Sequence, residues 1–193
     1  WNPLDEIRIG TECEVGDVQN LCTLIVDPDG KGLESHWQKT AFSLLVGVLL
    51  HGIYKGIEDN IPATLPIVDG ILTNPNRDLS ELWLEMKTFK HTDNGVHPVV
   101  AAAAQDMIDR PEDEAGSVLS TAKSYLMLYR DPVVANAVSG SEFSIKDLMH
   151  HDDPVSLYII TKPTDKDRLR PLVRIMMNMI VRLLADKMDF KNG

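Results

Sequence analysis

Pro154-Val155-Ser156-Leu157-Tyr158-Ile159-Ile160-Thr161 is the stretch that decides the fold, an apolar run in a chain that otherwise reads as helix. A short apolar run without alternation is the pattern of a strand covered on both faces, usually in a parallel sheet. Parallel strands need neighbours, and no other run in the chain is of comparable quality. The stretch therefore predicts a strand whose sheet lies outside these 193 residues. On that reading the chain is an excised piece of an α/β protein. An open strand edge tends to associate, so the segment is expected to be shielded by packing or by pairing with a second copy.

Working outward, Thr164 can cap a helix running to about Met188, with Pro171 either kinking it or marking its true first turn. Upstream the pattern is helical almost throughout. Asp17 to Val26 places Val18, Leu21, Cys22 and Ile25 on one side, and Asp27-Pro28-Asp29-Gly30-Lys31-Gly32 ends that helix with turn chemistry. Ser35-His36-Trp37-Gln38 reads as a capping box. The helix it opens reaches about Tyr54 and is apolar on nearly all sides, as suits the centre of a bundle. Gly47 and Gly52 permit close helix approach, and Gly56 suits the C-terminal cap.

Further helices are predicted over Leu65 to Leu72, from an Asp78 cap through Leu82, Trp83, Met86 and Phe89, and from Pro98 to about Ile108. The next carries Glu112-Asp113-Glu114 at its N-terminus, where acids favour the helix dipole, and turns Val118, Leu119, Ala122, Tyr125, Leu126 and Tyr129 inward. Asp131-Pro132 starts a short helix ended by Gly140, and Ser144 to Asp147 opens one more turn. Neither an internal repeat nor a low-complexity tract is present.

Composition sets outer limits. A hydrophobic content of 44% and a charged content of 25% exclude wholesale disorder. The net charge of −10 argues against phosphate binding by the surface as a whole, though not against a local basic patch. Cys13 and Cys22 are too few for a disulfide scaffold and read as reduced thiols. Trp1 to Asp5 has neither the basic region nor the apolar core of a signal peptide. Ala41 to Leu50 is far short of the roughly 20 residues of a membrane span, so it reads as a buried helix.

Several patterns invite chemistry and fall short of it. Asp29-Gly30-Lys31-Gly32 suggests a phosphate loop, but Ile25 stands where that motif needs its first glycine and Gly32 where it needs a hydroxyl. A plain turn is the better reading. His150-His151-Asp152-Asp153 resembles a metal cluster, yet adjacent residues rarely point at one ion, and a polar loop is preferred. His36, His51, His91 and His97 lack ligand spacing and read as surface or satisfied interior histidines. Ser117 and Ser120-Thr121 sit mid-helix, where packing or back-bonding to carbonyls explains them. Lys166, Arg170, Arg174 and Arg182 recur at four-residue multiples, which reads as one stripe. That stripe is either a solvated face or a contact with a neighbouring subunit or with phosphates.

Taken in order, the motifs resemble the TraG/TraD-type coupling proteins of type IV secretion and bacterial conjugation. The matching stretches are Asn2-Pro3-Leu4-Asp5, Asp17-Val18-Gln19-Asn20, His36-Trp37 with Leu44-Leu45-Val46-Gly47, and Gly116-Ser117-Val118-Leu119-Ser120-Thr121. They continue with Tyr129-Arg130-Asp131-Pro132-Val133-Val134-Ala135, Pro154 to Tyr158, and Arg170-Pro171-Leu172-Val173-Arg174. The resemblance implies a membrane-anchored, hexameric, RecA-like ATPase whose nucleotide-binding domain is interrupted by an all-α domain facing the cytoplasm. Residues 1–31 and 154–193 would be flanking pieces of the nucleotide-binding domain, and 32–153 the all-α domain. The expected fold is therefore mainly α, with a strand and helix from the interrupted α/β domain.

By the same resemblance, ATP and magnesium belong to the parent protein, and none of its ATPase residues can be placed in this chain. What survives is recognition of a relaxase, the relaxosome or a secreted effector by the all-α domain. An acidic surface suits such partners better than naked DNA. The alternatives are a module touching single-stranded DNA through the basic stripe and stacked aromatics, and a metal-dependent hydrolase built on His150 to Asp153.

Overall fold

The computed structural model describes residues 1–185. Its helices are α1 (Glu14–Val26), α2 (His36–Asp59), α3 (Leu65–Thr73), α4 (Leu79–Thr88), α5 (Pro98–Asp109), α6 (Glu112–Leu126), α7 (Pro132–Ala137), α8 (Asp147–His150) and α9 (Lys166–Ala185). Short 3-10 turns occur at Pro3–Glu6, Met127–Arg130 and Pro163–Asp165.

α2 is the axis of the bundle because its apolar residues fall on every side. Ala41, Leu45, Val48, Leu49 and Leu50 are fully shielded, and α1, α3, α5 and α6 all pack against it. By length and composition α2 could cross a membrane, but most of that stretch is buried inside the bundle. Its start is the predicted capping box: Ser35 Oγ accepts from the Gln38 N–H at 3.1 Å and Gln38 Oε1 from the Ser35 N–H at 3.0 Å. Its end lies beyond the predicted Tyr54, at Asp59, with Asn60 in the left-handed region at φ 54°. Gly56 is thus not the cap. It is the point where the chain folds back, the Ile61 N–H donating to the Gly56 carbonyl at 2.8 Å. Gly47 and Gly52 do mark close approaches, to Ala103 of α5 and to Ile71 and Val68 of α3.

Smaller differences have local causes. α1 begins at Glu14 rather than Asp17. Asp78 occupies the N-cap of α4 without a side-chain cap bond, whereas Thr64, His97 and Asp131 cap α3, α5 and α7 through their side chains. Thr164 lies within the Pro163–Asp165 turn instead of capping a helix, and α9 continues through Pro171. The predicted helix end near Met188 lies outside the described residues.

The strand expected at Pro154 to Thr161 is not formed, and no strand is present among the described residues. The stretch is free of helix and makes no ladder, because strand pairing needs a neighbour and the bundle offers no sheet edge. Nor is it shielded: Tyr158 is 81% exposed and Ile160 91%. The fold class is therefore mainly α, without the flanking strand.

One core unites the described residues. Leu4, Ile7, Val18, Leu21, Cys22 and Ile25 from the N-terminal segment join it, as do Ile175 and Met179 of α9. The N-terminus closes as a clasp around the fully buried Asn2. Asn2 donates to Asp5 Oδ1 and the Ala63 carbonyl, both at 2.8 Å, and its side-chain oxygen accepts from the Leu4 N–H. Glu6 accepts from Trp1 Nε1 at 3.1 Å and from the Ile145 N–H at 2.7 Å, stitching both ends of the body together.

Candidate functional site

The four basic residues of α9 do not form one stripe. An α-helix turns once in about 3.6 residues, so each step of four advances by roughly 40° and Lys166 and Arg182 end roughly 160° apart. Lys166 and Arg170 are exposed. Arg174 lies across the turn after α1, its guanidinium over Gly30, where even a methyl group would collide with it. Arg182 lines a small cavity with Glu6, Asp17 and Asn20. Between them Arg168, which sequence reading passed over, bonds Asp131 at 2.5 Å and Asp165 at 3.2 Å. Its Asp165 partner three residues earlier was a visible signal; Asp131 was not.

The turn beneath Arg174 explains the false phosphate loop. Its N–H groups are already taken, since Asp27 accepts from Lys31 N–H at 3.0 Å and Gly32 N–H at 2.7 Å. Gly30 at φ 70° and Gly32 at φ 92° are in the region that favours glycine. Burial raises the Asp27 pKa, but the Gly32, Lys31 and Gly30 N–H groups and the Arg174 charge outweigh it, leaving the carboxyl below its ordinary value. His150 to Asp153 are exposed or bonded among themselves, and among the described residues no three His, Cys, Asp or Glu side chains converge as metal ligands. Ser117 and Thr121 donate to the Asp113 and Ser117 carbonyls, the back-bonding expected of mid-helix hydroxyls.

The outer surface of α6 is open. Trp37, at the start of α2, is 43% exposed and flanks a shallow groove lined by Glu112, Asp113, Ser117 and Ser120. Glu114 is engaged by Arg110 at 2.5 Å and His36 at 3.3 Å. Neither Glu112 nor Asp113 forms an ion pair among the described residues.

Three histidines that looked scattered converge in the interior. The His97 N–H donates to His91 Nδ1 at 3.2 Å, and His91 Nε2 faces His51 Nδ1 at 3.0 Å. His97 Nδ1 accepts from the Val99 N–H, so its proton is on Nε2, 3.2 Å from Glu14 Oε1. By the same logic His91 is protonated on Nε2 and donates to His51, whose own proton is on Nε2. His51 is completely buried, and its Nε2 finds no hydrogen bond, with Glu85 Oε1 3.7 Å away.

Charge spreads outward from both ends of this relay. Glu85 also binds Arg77 at 2.6 Å and Lys55. Glu14 accepts from Tyr54 Oη at 2.6 Å and the Gly10 N–H at 2.9 Å. Burial, assisted by the neighbouring cations, lowers His51 to about 4, against the pull of Glu85. Burial and the His97 charge likewise lower His91 to about 4. Both rings are neutral at neutral pH. Sequence offered one clue: a polar side chain in the middle of a fully buried helix must find partners.

With this geometry established, comparison with known proteins places the chain. All of residues 1–193 match the family described as type IV secretory system conjugative DNA transfer. Conjugal transfer protein TraG of Escherichia coli is 74% identical over the whole chain, which spans 30% of that relative, and a second E. coli TraG is 72% identical over the same span. Protein VirD4 of Agrobacterium fabrum is 24% identical over 198 aligned residues, all of this chain and 27% of VirD4. The chain belongs to the conjugative DNA transfer family of type IV secretion. Within it the match is to TraG-type coupling proteins, as the ordered motif series indicated.

Proposed function

We propose that residues 32–153 are the substrate-recognition module of a conjugative coupling protein, recruiting a relaxase, relaxosome component or secreted effector to the secretion channel. The observation that carries this reading is the open groove beside exposed Trp37, edged by Glu112 and Asp113, which form no ion pair among the described residues. An exposed indole with free carboxylates suits a basic protein surface, through cation–π contact and charge complementarity. On this reading the parent is a hexameric ATPase of the inner membrane, using ATP and magnesium, with this module on the cytoplasmic side and no catalysis within the chain. Residues 1–31 and 154–193 then belong to its nucleotide-binding domain. The unpaired, exposed stretch at Val155 to Ile160 and the outward Met177 and Val181 of α9 support that assignment, since all suit cover by a neighbouring layer.

The test is capture of purified relaxase and relaxosome components by the 193-residue chain. Trp37→Ala with Glu112→Lys and Asp113→Lys should abolish capture while circular dichroism stays native. Undiminished capture by that variant would remove the groove from the account.

A second reading has its own observation. Lys166 and Arg170 are exposed, and Tyr158, nearby in sequence, is itself 81% exposed. These are the parts of a single-strand contact, a cation beside a stacking platform. They are equally the residues we propose for a subunit contact, with exposed Arg182 farther along α9, whereas Arg174 is turned toward the body. DNA binding that persists at low salt and falls with Lys166→Ala and Arg170→Ala favours the first use; none at low salt favours the second.

A further inference from the structure

The loop between α4 and α5, residues 89–97, is closed on itself: Thr92 and Gly95 exchange two backbone hydrogen bonds of 2.9 Å. Its polar side-chain ties to the body are few. His91 donates to His51 of α2, and His97 donates to Glu14 of α1. The rings of Phe89, Tyr54 and His51 pack edge-on around His91. We propose that the His51–His91 pair is a proton-operated latch, holding this loop and the start of α5 against α2 only while both rings are neutral.

The geometry leaves no comfortable place for an added proton. On His51 it must go to Nδ1, which faces the His91 Nε2–H at 3.0 Å. On His91 it must go to Nδ1, which faces the His97 N–H at 3.2 Å. Either way a donor is set against a donor in a site closed to water. The surrounding charges give little relief. Glu85 of α4 is the acid nearest His51, and it is already shared by Lys55 and Arg77. Glu14 of α1 is occupied by Tyr54 and His97. Swinging the loop out removes the opposition at once, since both rings then reach water. The unpaired His51 Nε2 marks the same strain at rest, a buried donor without an acceptor in range.

The test uses the 193-residue chain, with histidine nitrogen spectra and amide exchange followed from about pH 8 to about pH 5. At the upper end His51 and His91 should both show the Nε2–H tautomer. With both rings held near 4 when closed and near 6.5 when free, each ring that takes up a proton on opening at about pH 5 raises the open fraction about thirtyfold. Protection of Gly95 and His97 amides should therefore fall by at least about thirtyfold while Val118 and Ala122 of α6 keep theirs. His51→Asn keeps an acceptor for His91 and removes one titrating ring, so much of the pH dependence should vanish. The latch is overturned if loop and α6 lose protection together, or if His91 is the Nδ1–H tautomer at neutral pH. Both wild-type readouts stand even if the variant does not fold.

Discussion

Gly47→Ala tests the seam on which the bundle depends. Gly47 is in the shielded middle of α2, and a Cβ there would sit against the Ala103 Cβ of α5, well inside the 3.0 Å limit that real Cβ contacts keep. Ala103 has no flexible end to swing away, so α5 itself must move out by about an ångström to regain a carbon contact of about 3.5–4 Å. Overpacking of this kind costs about 1–3 kcal/mol, and the better helix propensity of alanine returns up to about 1 kcal/mol. The net expectation is a loss of about 1–2 kcal/mol, read as a lower urea midpoint with unchanged slope. Two sister variants set the scale. Gly116 has nothing within 4 Å of its virtual Cβ, so Gly116→Ala should gain about 0.5–1 kcal/mol. Gly52 meets first the tip of Ile71 at 3.1 Å, which can turn aside, so Gly52→Ala should be near neutral. Adding Ala103→Gly to Gly47→Ala should restore more stability than it costs alone, a coupling only neighbours show. A Gly47→Ala protein as stable as Gly116→Ala would refute the close contact of α2 and α5.

Asn2→Ala removes a fully buried side chain with three hydrogen bonds, so it should cost about 1–3 kcal/mol and speed exchange across residues 137–145, which the clasp holds. Asp69 receives Arg130 through two bonds of 2.8 Å, so Asp69→Asn should lower stability by about 1–3 kcal/mol, and Arg130→Lys, lacking the fork, should not behave as wild type. Acid should destabilise the fold before its carboxylates titrate. His51 and His91 lie at about 4 folded against 6.5 unfolded, so the unfolded chain binds more protons as pH falls. Their contribution is complete above about 6.5 and is lost toward about 4, about 3 kcal/mol for each ring that titrates. His51→Asn should flatten urea midpoints measured across that window.

What was legible in the sequence was what local chemistry decides. Ser35 and Gln38 cap α2 as their spacing requires, and Gly47 and Gly52 mark contacts because a missing Cβ in a buried helix needs a reason. Pro154 to Thr161 was readable as a strand only on condition of a partner, and a strand without its neighbour is merely exposed chain. The histidines were illegible for a different reason. His51, His91 and His97 meet through the turn after α4, and nothing in their separations of 40 and 6 residues says so. The basic stripe of α9 failed on arithmetic the spacing already contained: steps of four drift around a helix, so Arg174 turns to the body while Lys166 stays in solvent.

Several residues of the motif series hold the bundle together, whereas Trp37, Ser117 and Ser120 of the same series lie at the proposed groove beside Glu112 and Asp113. Asn2 is a clasp, Gly47 a helix crossing, Arg130 a tie to Asp69, and Asp131 caps α7 while holding Arg168. Asn2 and Gly47 are shielded inside the molecule, where geometry permits little substitution, and Arg130 and Asp131 are tied by ion pairs nearer its surface. Among the described residues Glu112 and Asp113 form no ion pair, and Trp37, although it belongs to the His36-Trp37 motif, is 43% exposed, so all three can change without loss of the fold. If residues 32–153 recognise cargo as proposed, the selecting surface is expected to be of this open, substitutable kind. Exchanging the Trp37–α6 surface for that of a distant relative such as VirD4 should therefore leave stability within about 1 kcal/mol. Cargo preference should follow the graft. If preference instead stays with the buried framework, selection resides in the shape of the bundle and not on its acidic face.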